Sequence, residues 1–129
     1  MGYPVILNCL FVGLGGFLGS VFRYLCSFLR FEGISFPVIT LGINIVGSFA
    51  IMFFSGLLAK ELGMDHHLVL FLRVGLCGGF TTFSTFSAET LGLFEAGDYW
   101  VATIYVLLSV VLCVLGAWLG AVSSSVLAR

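Results

Sequence analysis

The chain has 129 residues, of which 60% are hydrophobic and 9% are charged, with a formal net charge of −1. A typical soluble domain carries about 25% charged residues, so this composition excludes an ordinary soluble domain and predicts one unit embedded in a lipid bilayer. We expect no nucleic-acid partner for such a chain.

Long uncharged runs mark the membrane-crossing segments. Three of them cover residues 1–22, 33–59 and 99–128, and each is long enough for a helix of the ~20 apolar residues that a bilayer requires. One more segment lies between the second and the last of these runs and is the third span in chain order. It reaches this length only if it includes Arg73 and Glu89. The sequence therefore predicts an all-α integral membrane protein, a single four-helix transmembrane domain over 1–129 with approximate spans 4–29, 37–59, 68–94 and 99–126.

The first two predicted spans each carry polar features. Gly15 and Gly19, and likewise Gly75 and Gly79 of the third span, have the GxxxG spacing that lets membrane helices approach closely. Arg23 is a charge partly inside the membrane, which requires a partner or a polar vestibule. Asn44 lies in the middle of the second span, where its amide needs hydrogen-bond partners. Either an interhelical bond or a polar path would satisfy it, and the sequence leaves both open.

The third span contains the most unusual stretch of the chain, Gly78–Ser87. Two adjacent glycines, five hydroxyl side chains and three phenylalanines occur within it, which predicts a helix broken near Gly78-Gly79. Unwound carbonyls beside Thr81 and Thr82 would form a natural cation site. Phe83 and Phe86 share a face if the following segment is helical, and their positive ring edges could favour a small anion without a fixed cation. Ordinary packing is the alternative for both rings.

On the fourth span, Tyr105 and Ser109 share a helical face and Cys113 follows one turn later. The sequence predicts a short polar stripe on this helix, and Gly116 and Gly120 repeat the GxxxG spacing. The cysteines fall one per span without metal-binding spacing, so we expect them to pack as small apolar residues. The adjacent pair His66-His67 is a poor metal site.

The basic residues give little orientation signal. Lys60 and Arg129, with Arg73 nearby, fall on one side of the predicted bundle, and Arg30, with Arg23 nearby, falls on the other. The positive-inside rule needs a clear imbalance, so insertion in both orientations and an antiparallel two-fold dimer are expected. A single orientation set by Lys60 and Arg129 is the alternative.

Three motifs together are similar to those of a known family. They are Gly15-Gly16-Phe17-Leu18-Gly19 leading to Arg23-Tyr24, Thr40-Leu41-Gly42-Ile43-Asn44, and the long stretch from Gly75 to Glu89. Over essentially its full length the chain resembles the Fluc fluoride channels, also called the CrcB family. The resemblance implies a fluoride-selective channel of the inner cell membrane, not an enzyme, that exports fluoride passively to relieve its toxicity. It also implies an antiparallel dual-topology homodimer.

The resemblance also implies roles by position. Arg23 would lie in a vestibule, and main-chain carbonyls of Gly78 and Thr81 from both subunits would hold one structural sodium ion. The chain departs from the pattern at Cys113 and Ala117, where the family often has further hydroxyls. The anion pore would be lined by Asn44, Phe83, Phe86, Thr85, Tyr105 and Ser109.

Two other kinds of membrane protein fit part of this sequence. A small dual-topology, proton-coupled multidrug exporter matches the size, span number and charge balance, but it needs an embedded carboxylate, and Glu89 is the one candidate. A non-transporting membrane assembly protein would not need the polar stretch at 78–82. An enzyme is the least consistent class, because no nucleophile–base set or metal cluster is evident.

Overall fold

The computed structural model describes residues 3–29, 35–60 and 65–127, without the side chains of Tyr3, Ala59 and Lys60. Within these ranges every regular element is helical, and there is no strand. The elements are α1 (Tyr3–Cys26), α2 (Val38–Lys60), α3 (His66–Val69), a π-helical segment (Leu70–Cys77), α4 (Gly78–Phe80), α5 (Phe83–Glu95) and α6 (Tyr99–Leu127).

Four helical stretches of the described chain are long and apolar enough to cross a bilayer, which confirms the predicted all-α, four-span class. They are Pro4–Cys26, Val38–Leu58, His66–Glu95 and Tyr99–Leu127. The third of these, called the third span below, contains α3, the π-helical segment, α4 and α5. Arg30, Arg129 and the side chain of Lys60, which entered the orientation argument, lie outside the described residues.

Local signals account for two of the helix ends. Asp65 caps α3, because its carboxylate accepts a hydrogen bond from the His67 N–H at 2.9 Å, and this bond holds the pKa of Asp65 below its usual range. After α5, Gly97 adopts φ 82°, and the Asp98 N–H donates to the Leu93 carbonyl at 2.9 Å. This is a Schellman end, which favours glycine because it has no Cβ, and it lets α6 start at once beside α5.

The first tight helix pair joins α1 to the π-helical segment and α4. Gly15 and Gly19 of α1 face Gly75 and Gly79 across this contact. A methyl group on Gly75 would lie 2.8 Å from Cα of Gly15, and one on Gly19 would lie 2.7 Å from the amide nitrogen of Phe80. Backbones meet at these distances only without side chains, so the close approach predicted from both GxxxG spacings is confirmed.

The second tight pair joins α2 to α6. A methyl group on Gly116 would lie 3.0 Å from the carbonyl oxygen of Ile45, and one on Gly120 would lie 3.1 Å from the amide nitrogen of Phe53. The third GxxxG spacing is therefore also a helix contact. Because α5 packs on α6 as well, the start of α5 lies beside α2 and α6, where the polar residues of three spans meet.

The third span leaves helical geometry at Thr81 and Thr82. Thr81 has φ −74° and ψ 156°, and Thr82 has φ −150° and ψ 112°. The glycine pair Gly78-Gly79, where the sequence predicted the weakening, is itself helical and begins α4. Threonine suits these two extended positions because its hydroxyl can bond to nearby backbone groups. Thr81 Oγ1 donates to the carbonyl of Cys77 at 3.0 Å, and Thr82 caps the next helix.

Candidate functional site

Asn44 binds the extended backbone of Thr82 with both ends of its amide. Its Oδ1 accepts from the Thr82 N–H at 2.8 Å, and its Nδ2 donates to the Thr82 carbonyl at 3.1 Å. The backbone of Thr82 thus fixes which end of the amide is the oxygen. A primary amide carries two N–H donors, and the second one has no acceptor among the described residues. Asn44 therefore both joins α2 to the third span and keeps a free donor.

The side chain of Thr82 forms the N-terminal cap of α5. Its Oγ1 accepts from the Thr85 N–H at 3.2 Å and donates to Thr85 Oγ1 at 3.0 Å. A threonine cap satisfies one of the orphan donors of a helix start. The cap places Phe83 at the first residue of α5 and Phe86 one turn later, so the orientation of both rings depends on this threonine.

The same two bonds release two carbonyl oxygens. In a continuous helix the Thr82 N–H would donate to the Gly78 carbonyl and the Thr85 N–H would donate to the Thr81 carbonyl. Here they donate to Asn44 Oδ1 and Thr82 Oγ1 instead. Gly78 is exposed, and a methyl group on it would meet nothing within 4 Å. The Gly78 and Thr81 carbonyls, the predicted cation ligands, have therefore lost their helical donors.

Four aromatic rings form a chain next to this point. The centroids of Phe83 and Phe86 are 5.4 Å apart with planes at 45°, those of Phe86 and Tyr105 are 5.2 Å apart, and Tyr105 meets Phe36 edge-to-face at 5.4 Å. The prediction that Phe83 and Phe86 share a helix face is confirmed. Phe83 is 78% exposed in the single chain and Tyr105 is fully buried, so the ring chain runs from the surface to the interior.

A cavity of about 410 Å³ lies beside Phe83 and Phe86. Ser109 Oγ is buried in its wall, and no hydrogen-bond partner for it exists among the described residues. Its lining contains no charged side chain, and it consists of Asn44, Gly47, Ser48, Ile51, Cys77, Thr81, Thr82, Phe83, Phe86, Ser109, Val110, Cys113 and Val114. We call it the neutral cavity. It brings together four of the six predicted pore residues.

A second cavity, of about 500 Å³, lies on the other side of Thr82. We call it the charged cavity, because Arg23 and Glu89 both line it, together with the predicted pore residue Thr85. The Arg23 Nε donates to the Gly79 carbonyl at 3.2 Å. Thr82 lines both cavities, so the capping threonine is the wall that they share. Arg23 thus lies among polar side chains, and its role in a vestibule stays a prediction.

Glu89 is held by two hydroxyl groups. Thr40 Oγ1 donates to its Oε1 and the Tyr105 hydroxyl donates to its Oε2, both at 2.7 Å. Within the described chain Glu89 forms no ion pair with Arg23. Tyr105 lines neither cavity, so its hydroxyl serves Glu89 in this structure. Sequence reasoning missed Thr40, although its position one turn before Asn44 places it on the same face of α2.

The remaining candidate ligands do not form a metal site. His67 Nδ1 lies 2.8 Å from the Asp65 carboxylate, and His66 only touches the His67 ring. Across the ranges that the structure describes, no cluster of three histidine, cysteine or acidic residues could hold a metal ion. The four cysteines are free thiols.

Comparison of the sequence with known proteins identifies the family of this chain. Residues 10–121 match the family described as "CrcB-like protein, Camphor Resistance (CrcB)". The chain is 45% identical over 112 residues to the fluoride-specific ion channel FluC of Elusimicrobium minutum (strain Pei191), covering 84% of this chain and 86% of that protein. It is 42% identical over 117 residues to the fluoride-specific ion channel FluC of Agrobacterium fabrum (strain C58 / ATCC 33970), covering 89% and 94%. It is 49% identical over 105 residues to fluoride-specific ion channel FluC 1 of Nitrobacter hamburgensis (strain DSM 10229 / NCIMB 13809 / X14), covering 80% and 83%. The chain therefore belongs to the CrcB family.

Proposed function

We propose that this protein is a fluoride-selective channel of the inner cell membrane that lets fluoride leave the cell passively and so relieves its toxicity. It is a channel and not an enzyme. Its relatives are named fluoride-specific ion channels. The observation that carries the proposal is the neutral cavity. There one N–H of Asn44 and the hydroxyl of Ser109, both without a partner among the described residues, lie beside the Phe83–Phe86 pair.

These groups suit a small anion that must shed water. The Asn44 N–H and the Ser109 O–H are hydrogen-bond donors, and they replace water molecules around fluoride. The edges of Phe83 and Phe86 add a weak positive potential. No fixed cation lines the cavity, so the anion is not held too tightly to leave, and conduction needs entry and exit to be comparably easy. Chloride accepts hydrogen bonds more weakly than fluoride and gains less from the same donors.

The charged cavity supplies the approach to this site. Arg23 and Glu89 both line this cavity, so their formal charges balance there. An anion would approach on the side of Arg23, whose guanidinium donates to the Gly79 carbonyl and does not line the neutral cavity. Thr85, whose hydroxyl faces the shared wall at Thr82, continues the polar path between the two cavities. An anion would therefore meet a guanidinium in the charged cavity and then the uncharged hydrogen-bond donors of the neutral cavity.

The environment of Glu89 argues against a multidrug exporter. Proton-coupled export needs an embedded carboxylate that exchanges between proton and substrate. Both oxygens of Glu89 instead accept hydrogen bonds from Thr40 and Tyr105, so this carboxylate is held as a structural acceptor.

The function is tested by fluoride efflux from liposomes that contain purified protein, with chloride as the control ion. Efflux that persists after the proton gradient is collapsed supports the channel, whereas loss of efflux or equal chloride flux contradicts it.

We infer further that the working unit is an antiparallel, dual-topology homodimer. Support comes from Phe83, which is 78% exposed in the single chain, although Phe86 beside it on the same helix is half-buried. A second copy packed on this surface would complete the walls of the neutral cavity. The near-balanced basic residues favour both insertions. Labelling of a terminal cysteine tag from each side of intact membranes tests this, and labelling from one side only would refute dual insertion.

We also propose a structural sodium ion at the dimer centre. The Gly78 and Thr81 carbonyls lack their helical donors and Gly78 faces open space, so the oxygens fit a cation bound by main chain. Two carbonyls from each subunit would offer four oxygen ligands. Because none of these ligands is a carboxylate, the site would favour a monovalent ion over a divalent one. The ion would hold the two subunits together without being transported. Rigorous removal of sodium should therefore dissociate the dimer in a size measurement and create no sodium current. An intact dimer without sodium would exclude the site.

A further inference from the structure

Cys113 lies in the wall of the neutral cavity, one helical turn after Ser109 on α6. Ser109 is 7% exposed as a residue, and its hydroxyl oxygen is buried and has no partner among the described residues. A buried hydroxyl without a protein partner calls for a polar occupant, either water or an anion. The thiol of Cys113 therefore shares this cavity with a hydroxyl that none of the described residues satisfies.

Cys113 is the accessible thiol of this cavity. It is half-buried, whereas Cys77, the other thiol in the wall, is 3% exposed. Cys9 is exposed on α1 but lines neither cavity, and neither does Cys26. No charged side chain lines the neutral cavity, so nothing in its wall favours a charged reagent over an uncharged one.

We propose that Cys113 is a covalent site for small, neutral, thiophilic metal species, and that their attachment blocks the anion path. Mercuric chloride is the probe of this class. The Cys113 sulfur forms a bond to mercury, one mercury–chlorine bond breaks, and the thiol proton and the chloride leave to water. No oxidant or reductant is involved. The bound metal occupies the cavity beside Ser109 and Phe86, and this block rests on the proposed fluoride conduction.

The test uses fluoride efflux from liposomes before and after mercuric chloride, with each protein compared with its own rate before the metal. The wild-type protein should lose most of its flux and recover it with dithiothreitol. Cys113→Ser should keep its own rate, and the matched control Cys9→Ser should be inhibited as the wild type is. A variant with Cys9, Cys26 and Cys77 changed to serine keeps Cys113 alone, and it should also be inhibited. Protein mass spectrometry should locate the mercury on Cys113.

Three results would overturn the inference. The first is equal inhibition of Cys113→Ser, and the second is inhibition that disappears with Cys77→Ser and not with Cys113→Ser. The third is unchanged efflux from a wild-type protein whose Cys113 carries mercury. A wild-type protein that passes no fluoride before mercury is added contradicts the proposed function instead. In that case the mass measurement still decides whether mercury bonds Cys113 in preference to Cys9.

Discussion

Replacing Asn44 by alanine removes the two hydrogen bonds that join α2 to the extended residue Thr82. Interhelical hydrogen bonds in membrane proteins contribute on average ~0.6 and at most ~1.7 kcal/mol each, so two of them are worth about 1–3 kcal/mol. The upper half of that range is expected, because Thr82 is only 8% exposed and its N–H and C=O would be left without partners. The same change removes the free amide donor from the neutral cavity.

We therefore expect Asn44→Ala to lower both the free energy of unfolding and fluoride efflux. Reversible unfolding in mixed detergent micelles, followed by circular dichroism, measures the first, and liposome efflux measures the second. Asn8→Ala is the matched control, because Asn8 lies on α1 in the wall of neither cavity. A protein with Asn44→Ala that unfolds at the same detergent fraction as the wild type and conducts normally would refute the role assigned to the amide.

Two further perturbations probe the rings and the helix contact. Phe83→Ile and Phe86→Ile should each cut fluoride efflux sharply while the dimer still forms, whereas Phe17→Ile, on a side chain 66% exposed on α1, should leave efflux unchanged; wild-type efflux from the first two would mean that the rings only pack. Gly79→Ala places a methyl 2.5 Å from the Gly16 carbonyl oxygen, so we expect it to lower stability in the detergent unfolding assay by about 1–3 kcal/mol. Gly13→Ala, where a methyl meets nothing within 4 Å, should have no such effect, and equal stability of the two variants would contradict the close packing.

Membrane insertion and the number of spans could be read from the sequence, because they depend on the length of predominantly apolar segments and not on how helices meet. The GxxxG spacings at Gly15, Gly75 and Gly116 likewise identified contact faces, since residues four apart share a helix face wherever the helix lies. The sequence also placed the polar stretch of the third span. It put the weak point at the glycine pair, but glycine can stay helical when a neighbouring helix packs against it, as Gly79 does against α1.

Only the tertiary structure decided which polar groups pair. Asn44 and Thr82 are far apart in sequence, as are Thr40 and Glu89, and each pair meets because two helices pack at one particular relative height. A shift of either helix by one turn, about 5.4 Å, would break both contacts without changing any local signal. The freed carbonyls of Gly78 and Thr81 follow from the same packing. Their helical donors are diverted by a side chain of α2 and by a threonine cap, and hydrogen bonds of this kind depend on distances between segments that no local pattern encodes.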